Sequence, residues 1–307
     1  MKILVLGAGA IGGYFGGRLA EAGADVTFLV RPGRQQALQK DGLVVKSPAG
    51  DIRRPVQTVL AGGIRQPYDL VLLTAKAYDL AAAIDAIAPA MGPESAVLPL
   101  LNGLLHIDAL SAKFGKERVL GGACYIGGAL SPEGHVIHNG QLAVLTFGEL
   151  AGGRSARAEA ITAELGKGKF KTVLSEHILQ DMWEKIVMLS TLAAMTTLTH
   201  AHVGEILAAA EGERTMLAML AEAEAVAKAS GHPVGAEAAQ RSRKMLTDRS
   251  SNFTASMRHD MESGRATESD HVIGDMTRRG AALGVPMPLM HLALCNLQVY
   301  EAKRAKN

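Results

Sequence analysis

The sequence predicts an α/β domain, built on a doubly wound and mainly parallel sheet, followed by an all-α domain. Three observations carry this prediction. Short apolar runs rich in β-branched residues alternate with helix-like segments through the first half of the chain. A glycine-rich turn follows the first of those runs. Beyond about residue 154 the apolar residues take up helical periodicity almost to the end.

The strand candidates are 2–6, 25–30, 70–74, 96–100 and 119–124, and helix-like segments such as 11–22 and 80–88 lie between several of them. Residues 134–139 and 141–147 read as a later hairpin that turns at the Asn139–Gly140 pair. One more strand candidate, 170–174, precedes helices expected at 178–198, 213–230, 236–248 and 267–283. The segment 286–302 opens with prolines suited to a helix entrance. The domain boundary is expected near 174, giving domains 1–174 and 175–307.

Composition narrows the function classes. A chain of 307 residues suffices for two ordinary domains with a sizeable core. With 48% hydrophobic and 20% charged residues, it has the profile of a globular enzyme rather than of a disordered or fibrous chain. A formal net charge of +2 argues against broad attraction to nucleic acid or an anionic membrane. The basic cluster at 241–244 lacks the aromatic interleaving of a nucleic-acid surface. Cys124 and Cys295 are far apart and make neither a disulfide framework nor a zinc site by themselves. His200 and His202, and the i,i+4 pair His291 and Cys295, read as surface and packing residues, so no metal is expected. Lys2 and the apolar run after it superficially resemble a signal peptide, but Gly7, Gly9, Gly12, Gly13, Gly16 and Gly17 interrupt the run. No later stretch has about 18 uninterrupted apolar residues, so no membrane span and a cytoplasmic location are expected.

Gly7-Ala8-Gly9-Ala10-Ile11-Gly12 is a G-x-G-x-x-G motif between a strand and a helix-like segment, the context of a Rossmann-type dinucleotide site. Gly7 permits the tight turn, Gly9 lets the backbone approach a pyrophosphate, and Gly12 allows close helix–strand packing. The helix N-terminus offers unpaired N–H groups and partial positive charge to phosphate. An NAD enzyme usually carries an acid about 20 residues later. Here the second strand runs into Arg31-Pro32-Gly33-Arg34, and both arginines could hold a 2′-phosphate, so NADP (NADPH) is the expected cofactor.

In the second half, Lys185 is followed by no charged residue through Thr199. A helix that is apolar nearly all round should be buried, which places Lys185 at the rim of a buried helix. It is either a proton-transfer group or a lysine whose ammonium simply reaches water. Glu268 follows Thr267, and the pair reads equally well as an N-cap and a first-turn acid.

Several spaced features together are more specific. They are Gly7-x-Gly9-x-x-Gly12 with Arg31, Thr74-Ala75-Lys76-Ala77, Asn102-Gly103, Trp183-x-Lys185, Gly204-Glu205, Ser256-Met257 and Gly264-Arg265-x-Thr267-Glu268-x-Asp270. In these, and nearly end to end, the chain resembles the ketopantoate reductase (2-dehydropantoate 2-reductase) family. The resemblance implies NADPH-dependent reduction of a small-molecule 2-keto acid, ketopantoate to pantoate. It puts Lys185 at the general-acid position and Glu268 at the acid bonded to the substrate hydroxyl. It makes Ser256 a carboxylate-binding serine, Asn102 a residue between nicotinamide and substrate, and Lys76 a lysine near the cofactor. Where the family pattern has asparagine one and two turns beyond the lysine, and another before the Gly-Glu pair, this chain has Leu189, Ala193 and Val203. These positions favour, as the alternative to ketopantoate, a less polar or bulkier keto acid, with Thr196 and Ser256 among the remaining polar groups. Two rival readings are a dehydrogenase of another hydroxy acid and a non-catalytic NADP-binding redox sensor. Helical reductases often associate through the second domain, which leaves a homodimer open.

Overall fold

The computed structural model describes residues 1–306, and the chain divides into two units. The first comprises Met1–Leu101 and His106–Leu179; the second comprises Asn102–Leu105 and everything from Gln180 on. In chain order the first unit contains β1 (Lys2–Leu6), α1 (Ala10–Glu21), β2 (Asp25–Leu29), α2 (Pro32–Asp41), β3 (Leu43–Lys46), β4 (Ile52–Arg54) and β5 (Gln57–Val59). There follow β6 (Leu70–Leu73), α3 (Leu80–Ile87), β7 (Ala96–Pro99), α4 (Leu105–Phe114), β8 (Leu120–Leu130), β9 (Val136–Glu149), α5 (Ala156–Leu165) and β10 (Lys171–Leu174).

The first sheet has the order β5-β2-β1-β6-β7, and every pairing in it is parallel. Its central strands are continuous apolar runs, as a sheet covered on both faces requires: every residue of β6 is fully buried. A second sheet runs β10-β9-β3-β4, with β8 also paired to β9. Helix α1 fits so closely that none of its four glycines has room for a side chain. A Cβ on Gly16 would lie 2.8 Å from the Phe28 ring of the first sheet. On Gly17 it would lie 2.9 Å from Leu43, and on Gly13 2.6 Å from Val136, both in the second sheet. The glycines that interrupt the apolar run near the N-terminus thus let one helix pack against both sheets. Tyr14, Phe15 and Leu19 of that helix fill the core with Val5, Phe28, Val45, Leu145 and Phe147.

One sequence expectation fails here. The Asn139–Gly140 pair is not a hairpin turn but a bulge inside the long strand β9. The register passes from Gly127 opposite Asn139 to Ile126 opposite Ala143, leaving 140–142 without partners. Gly140 takes φ +77° there, so the residue suited to a tight turn serves a bulge instead. The actual turn is at Ser131–His135, closed by the Ser131 N–H on the His135 carbonyl at 2.8 Å. The physical cause is β8, which continues to Leu130 and pairs with β9 on both sides of the bulge.

The second unit is helical: α6 (Ile178–Thr199, entering it at Gln180), α7 (Val203–Ala208), α8 (Gly212–Ala229), α9 (Ala236–Leu246), α10 (Ser256–Glu262), α11 (Asp275–Ala282) and α12 (Pro288–Arg304). The uncharged stretch of α6 is buried, with Val187, Ser190, Thr191, Ala194, Thr196 and Thr197 all fully inaccessible. Its hydroxyls cost little to bury because they bond within the helix: Thr191 to the Val187 carbonyl at 2.9 Å, Thr197 to that of Ala193 at 2.7 Å. Glu222 of α8 accepts from the Leu289 and Met290 N–H groups at 3.0 and 2.9 Å, capping α12 just after its proline.

The helix expected at 267–283 is preceded by something else. Asp270–Gly274 winds as a π-helix before α11 begins. Thr267 does not cap it; both its N–H and its hydroxyl donate to Glu301 of α12, each at 2.7 Å. Burial alone would raise the Glu301 carboxyl, but the Thr267 bonds and Arg304 outweigh it and hold it below its ordinary value. A carboxyl depressed in the fold contributes stability above its unfolded pKa, and loses it as pH falls through the folded value. Glu301→Gln should therefore lower the unfolding free energy by about 1–3 kcal/mol at neutral pH. The gap to wild type should narrow below about pH 4.3. Urea unfolding across pH measures both, and equal stability at pH 7 would refute the tie.

Candidate active site

In the first unit the glycine turn leaves β1 and enters α1. Gly7 has φ +95°, and its N–H donates to the Leu29 carbonyl at the end of β2 at 2.9 Å. A Cβ on Gly12 would stand 2.2 Å from the Gly7 carbonyl oxygen and 2.4 Å from the Thr74 hydroxyl, so only glycine fits. Thr74 in turn donates to the Leu6 carbonyl at 2.7 Å, closing the turn against the strand next to β1. Gly9 is different: a Cβ there would meet nothing within 4 Å. Gly9 is the N-cap of α1, with no side-chain cap and no acid in the first turn. Open space over helix-start amides, with Ala8, Ala10 and Ile11 completing the turn, is a cradle that suits the pyrophosphate of a dinucleotide. Lys76 stands exposed just beyond β6, the neighbour of β1.

The two arginines after β2 separate. Arg31 is 79% exposed along its side chain and pairs with Asp79 at 2.8 Å. Arg34, expected beside it as a phosphate ligand, points back into the fold instead. Its Nε and Nη2 donate to the Ala8 carbonyl at 3.2 and 2.7 Å, and its Nη1 to that of Gly134 at 2.8 Å. Burial lowers its pKa, and its donors are spent holding the glycine turn. Carbonyls within reach of a half-buried guanidinium explain this placement.

In the second unit a pocket collects Asn102, Ser256 and Glu268. Lys185 of α6 donates to the Asn102 Oδ1 at 3.1 Å. Leu189 and Ala193, one and two turns further along α6, line the same pocket, as do Ala255, Met257 and Val272. The apolar substitutions therefore face the space beside the candidate polar groups. Thr196 does not join them; it is fully buried and its hydroxyl donates to the Leu192 carbonyl at 2.7 Å. Val203 is buried at the start of α7, where its N–H meets the Phe253 carbonyl at 3.0 Å, and is not part of the lining.

Asp260 also lines the pocket and was not anticipated. It lies one turn beyond Ser256 on α10, a spacing that could have revealed it. Arg265 pairs with it at 2.9 Å, and the positive φ of Gly264 (+66°) makes the turn that brings the arginine back. Gly103 has φ +94°, and a Cβ there would sit 2.6 Å from the His271 ring, which accounts for a glycine after Asn102. Burial pushes the His271 pKa down, with Glu268, Asp275 and Asp270 opposing it. Other motif residues are architectural. Trp183 stacks on His232 with ring centres 5.6 Å apart and carries the Arg279 guanidinium over its face at 5.7 Å. Glu205 and His202 form a reciprocal cap at the start of α7, which assigns that histidine a structural role.

Comparison with known proteins agrees with this layout. Residues 3–152 match the family model for ketopantoate reductase PanE/ApbA, and residues 177–301 match its C-terminal counterpart. An uncharacterized oxidoreductase of Bacillus subtilis (strain 168), YkpB, is 38% identical over 304 residues, spanning 99% of this chain and 100% of that one. A 2-dehydropantoate 2-reductase of Mesorhizobium japonicum is 28% identical over 322 residues, spanning 96% of each chain. The crystal structure of a PanE/ApbA family ketopantoate reductase from Ralstonia eutropha JMP134 superposes with a TM-score of 0.90 at 27% identity, covering 99% of this chain and 100% of that one. With two family models covering most of its length, the chain belongs to the PanE/ApbA ketopantoate reductase family.

Proposed function

We propose that this chain is an NADPH-dependent oxidoreductase that reduces the C2 carbonyl of a 2-keto acid to a hydroxyl. The observation that carries the reading is the Lys185–Asn102 contact of 3.1 Å, with Asn102 lining the pocket that also holds Glu268 and Ser256. The cofactor, when bound, supplies the hydride. Lys185 is the proton donor: its ammonium neutralises the oxyanion that develops as the carbonyl is reduced and passes it a proton. Asn102 accepts from that ammonium and so limits the directions it can point. Glu268 accepts from the product hydroxyl, and the Ser256 hydroxyl donates to the substrate carboxylate. The exposed Arg31 and the absence of an acid on the loop that follows β2 support NADPH over NADH.

Leu189 and Ala193 in the lining favour a substrate with a branched or aromatic apolar side chain over one bearing a hydroxyl. A buried hydrogen-bonding wall rejects analogues strongly, whereas an apolar wall rewards apolar bulk by about 1–3 kcal/mol per methylene-sized group.

Three outcomes are expected. Lys185→Ala should lose roughly 10²- to 10⁴-fold in kcat, with the dissociation constant of NADPH little changed; a protein with no turnover to lose would be a sensor. Steady-state rates across a panel of 2-keto acids, followed by NADPH absorbance, should favour branched apolar substrates over ketopantoate, and Leu189→Asn should move kcat/KM toward ketopantoate. A strong wild-type preference for ketopantoate would overturn the substrate reading. NADPH should bind more tightly than NADH, and equal affinities would sink the cofactor assignment.

A further inference from the structure

Asp79 is the N-cap residue of α3, a position where aspartate ordinarily turns back onto the first-turn amides. It makes no such bond. Its carboxylate reaches instead across 48 residues of sequence to the Arg31 guanidinium, 2.8 Å away. The two residues follow β2 and β6, the strands that flank β1, and β1 ends in the glycine turn. Both side chains stay open to solvent, Arg31 at 79% and Asp79 at 38% exposure, so a ligand can reach the pair. Arg34 is already spent on the Ala8 and Gly134 carbonyls. The guanidinium assigned to a 2′-phosphate is therefore held by an acid that the sequence places far from it.

We propose that Asp79 sets cofactor selectivity by competing with the 2′-phosphate for Arg31. The inference rests on the reading that Arg31 receives that phosphate. To bind it, Arg31 must leave the carboxylate or share itself between two anions. If it leaves, the ion pair with Asp79 is given up; if it shares, the carboxylate stays beside the phosphate and repels it, and both outcomes weaken phosphate binding. An unphosphorylated cofactor meets no such repulsion, and its ribose 2′-hydroxyl can donate to the Asp79 carboxylate. Asp79 thus narrows the advantage of NADPH over NADH without any acid at the end of β2.

The test is equilibrium titration of NADPH and of NADH, followed by cofactor fluorescence, with wild type, Asp79→Asn, Arg31→Ala and the double variant. Asp79→Asn should tighten NADPH by about three- to thirtyfold, an effect that shrinks with added salt. NADH should be unchanged or weaker. Arg31→Ala should weaken NADPH, and in its background Asp79→Asn should add no more than twofold, since the competed group is gone. Asp79→Ser, which keeps a capping hydroxyl and removes the charge, should repeat the gain if Asp79→Asn folds poorly. If the Asp79 variants leave NADPH affinity unchanged while Arg31→Ala weakens it, the competition is refuted and the phosphate assignment stands. If Arg31→Ala leaves NADPH affinity unchanged, the assignment beneath it is refuted.

Discussion

The close approach of α1 to the end of β1 is the constraint on which the first unit depends. A side chain at Gly12 would run into the Gly7 carbonyl at 2.2 Å and the Thr74 hydroxyl at 2.4 Å. That hydroxyl is itself committed to the Leu6 carbonyl, so β1, β6 and α1 are locked at one point. Gly13, Gly16 and Gly17 extend the same demand along the helix, against Val136, Phe28 and Leu43. A helix pinned this way presents its first amides beside Gly9, where nothing crowds them. The anion cradle is a consequence of the packing, and it needs no cationic side chain to exist. Arg34 strengthens it from behind by holding the Ala8 carbonyl.

The second unit reaches its chemistry by another route. Helix α6 spends its buried serine and threonine hydroxyls on its own carbonyls, which lets that stretch lie buried at little cost. What remains polar beside the pocket is then a small set: Lys185 at the rim of the buried stretch, Asn102 from a four-residue excursion of the chain, Ser256 and Asp260 on α10, and Glu268 ahead of a π-helix. The five groups come from four separate parts of the chain. Their mutual placement depends on ties such as Thr267 to Glu301 and Gly103 beneath His271, not on the spacing of residues along one helix.

This difference decides what could be read from the sequence. The glycine turn and the central strands are local, and their dihedral and packing demands show in residue types a few positions apart. The buried character of α6 was legible for the same reason. Short polar elements were not: α2 buries only Leu38, so it has no apolar period to detect. The Asn139–Gly140 pair carries a turn signal that β8 overrides by supplying a long partner strand. Arg34 was misplaced because its carbonyl partners, Ala8 and Gly134, lie 26 and 100 residues away. Asp79 gains its meaning from a partner that only folding brings near, whereas Asp260 left a sequence signal, its one-turn spacing from Ser256.

Charge in the pocket supplies a reason for its two-sided lining. Two carboxylates, Asp260 and Glu268, face a space proposed to hold an anionic keto acid. Asp260 is paired with Arg265 at 2.9 Å, and that opposite charge reduces its field on a ligand. In the proposed reading the Glu268 carboxylate repels the substrate's own carboxylate and accepts from the product hydroxyl. That reading leaves the Ser256 hydroxyl for the substrate carboxylate, and Leu189, Ala193 and Val272 for the remaining substituent. Orientation in such a pocket comes from repulsion at one wall as much as from attraction at another. In the proposed reading, Leu189 and Ala193 at positions where the family pattern has amides relax the demands on the substrate's side chain and leave the charge-based orientation in place.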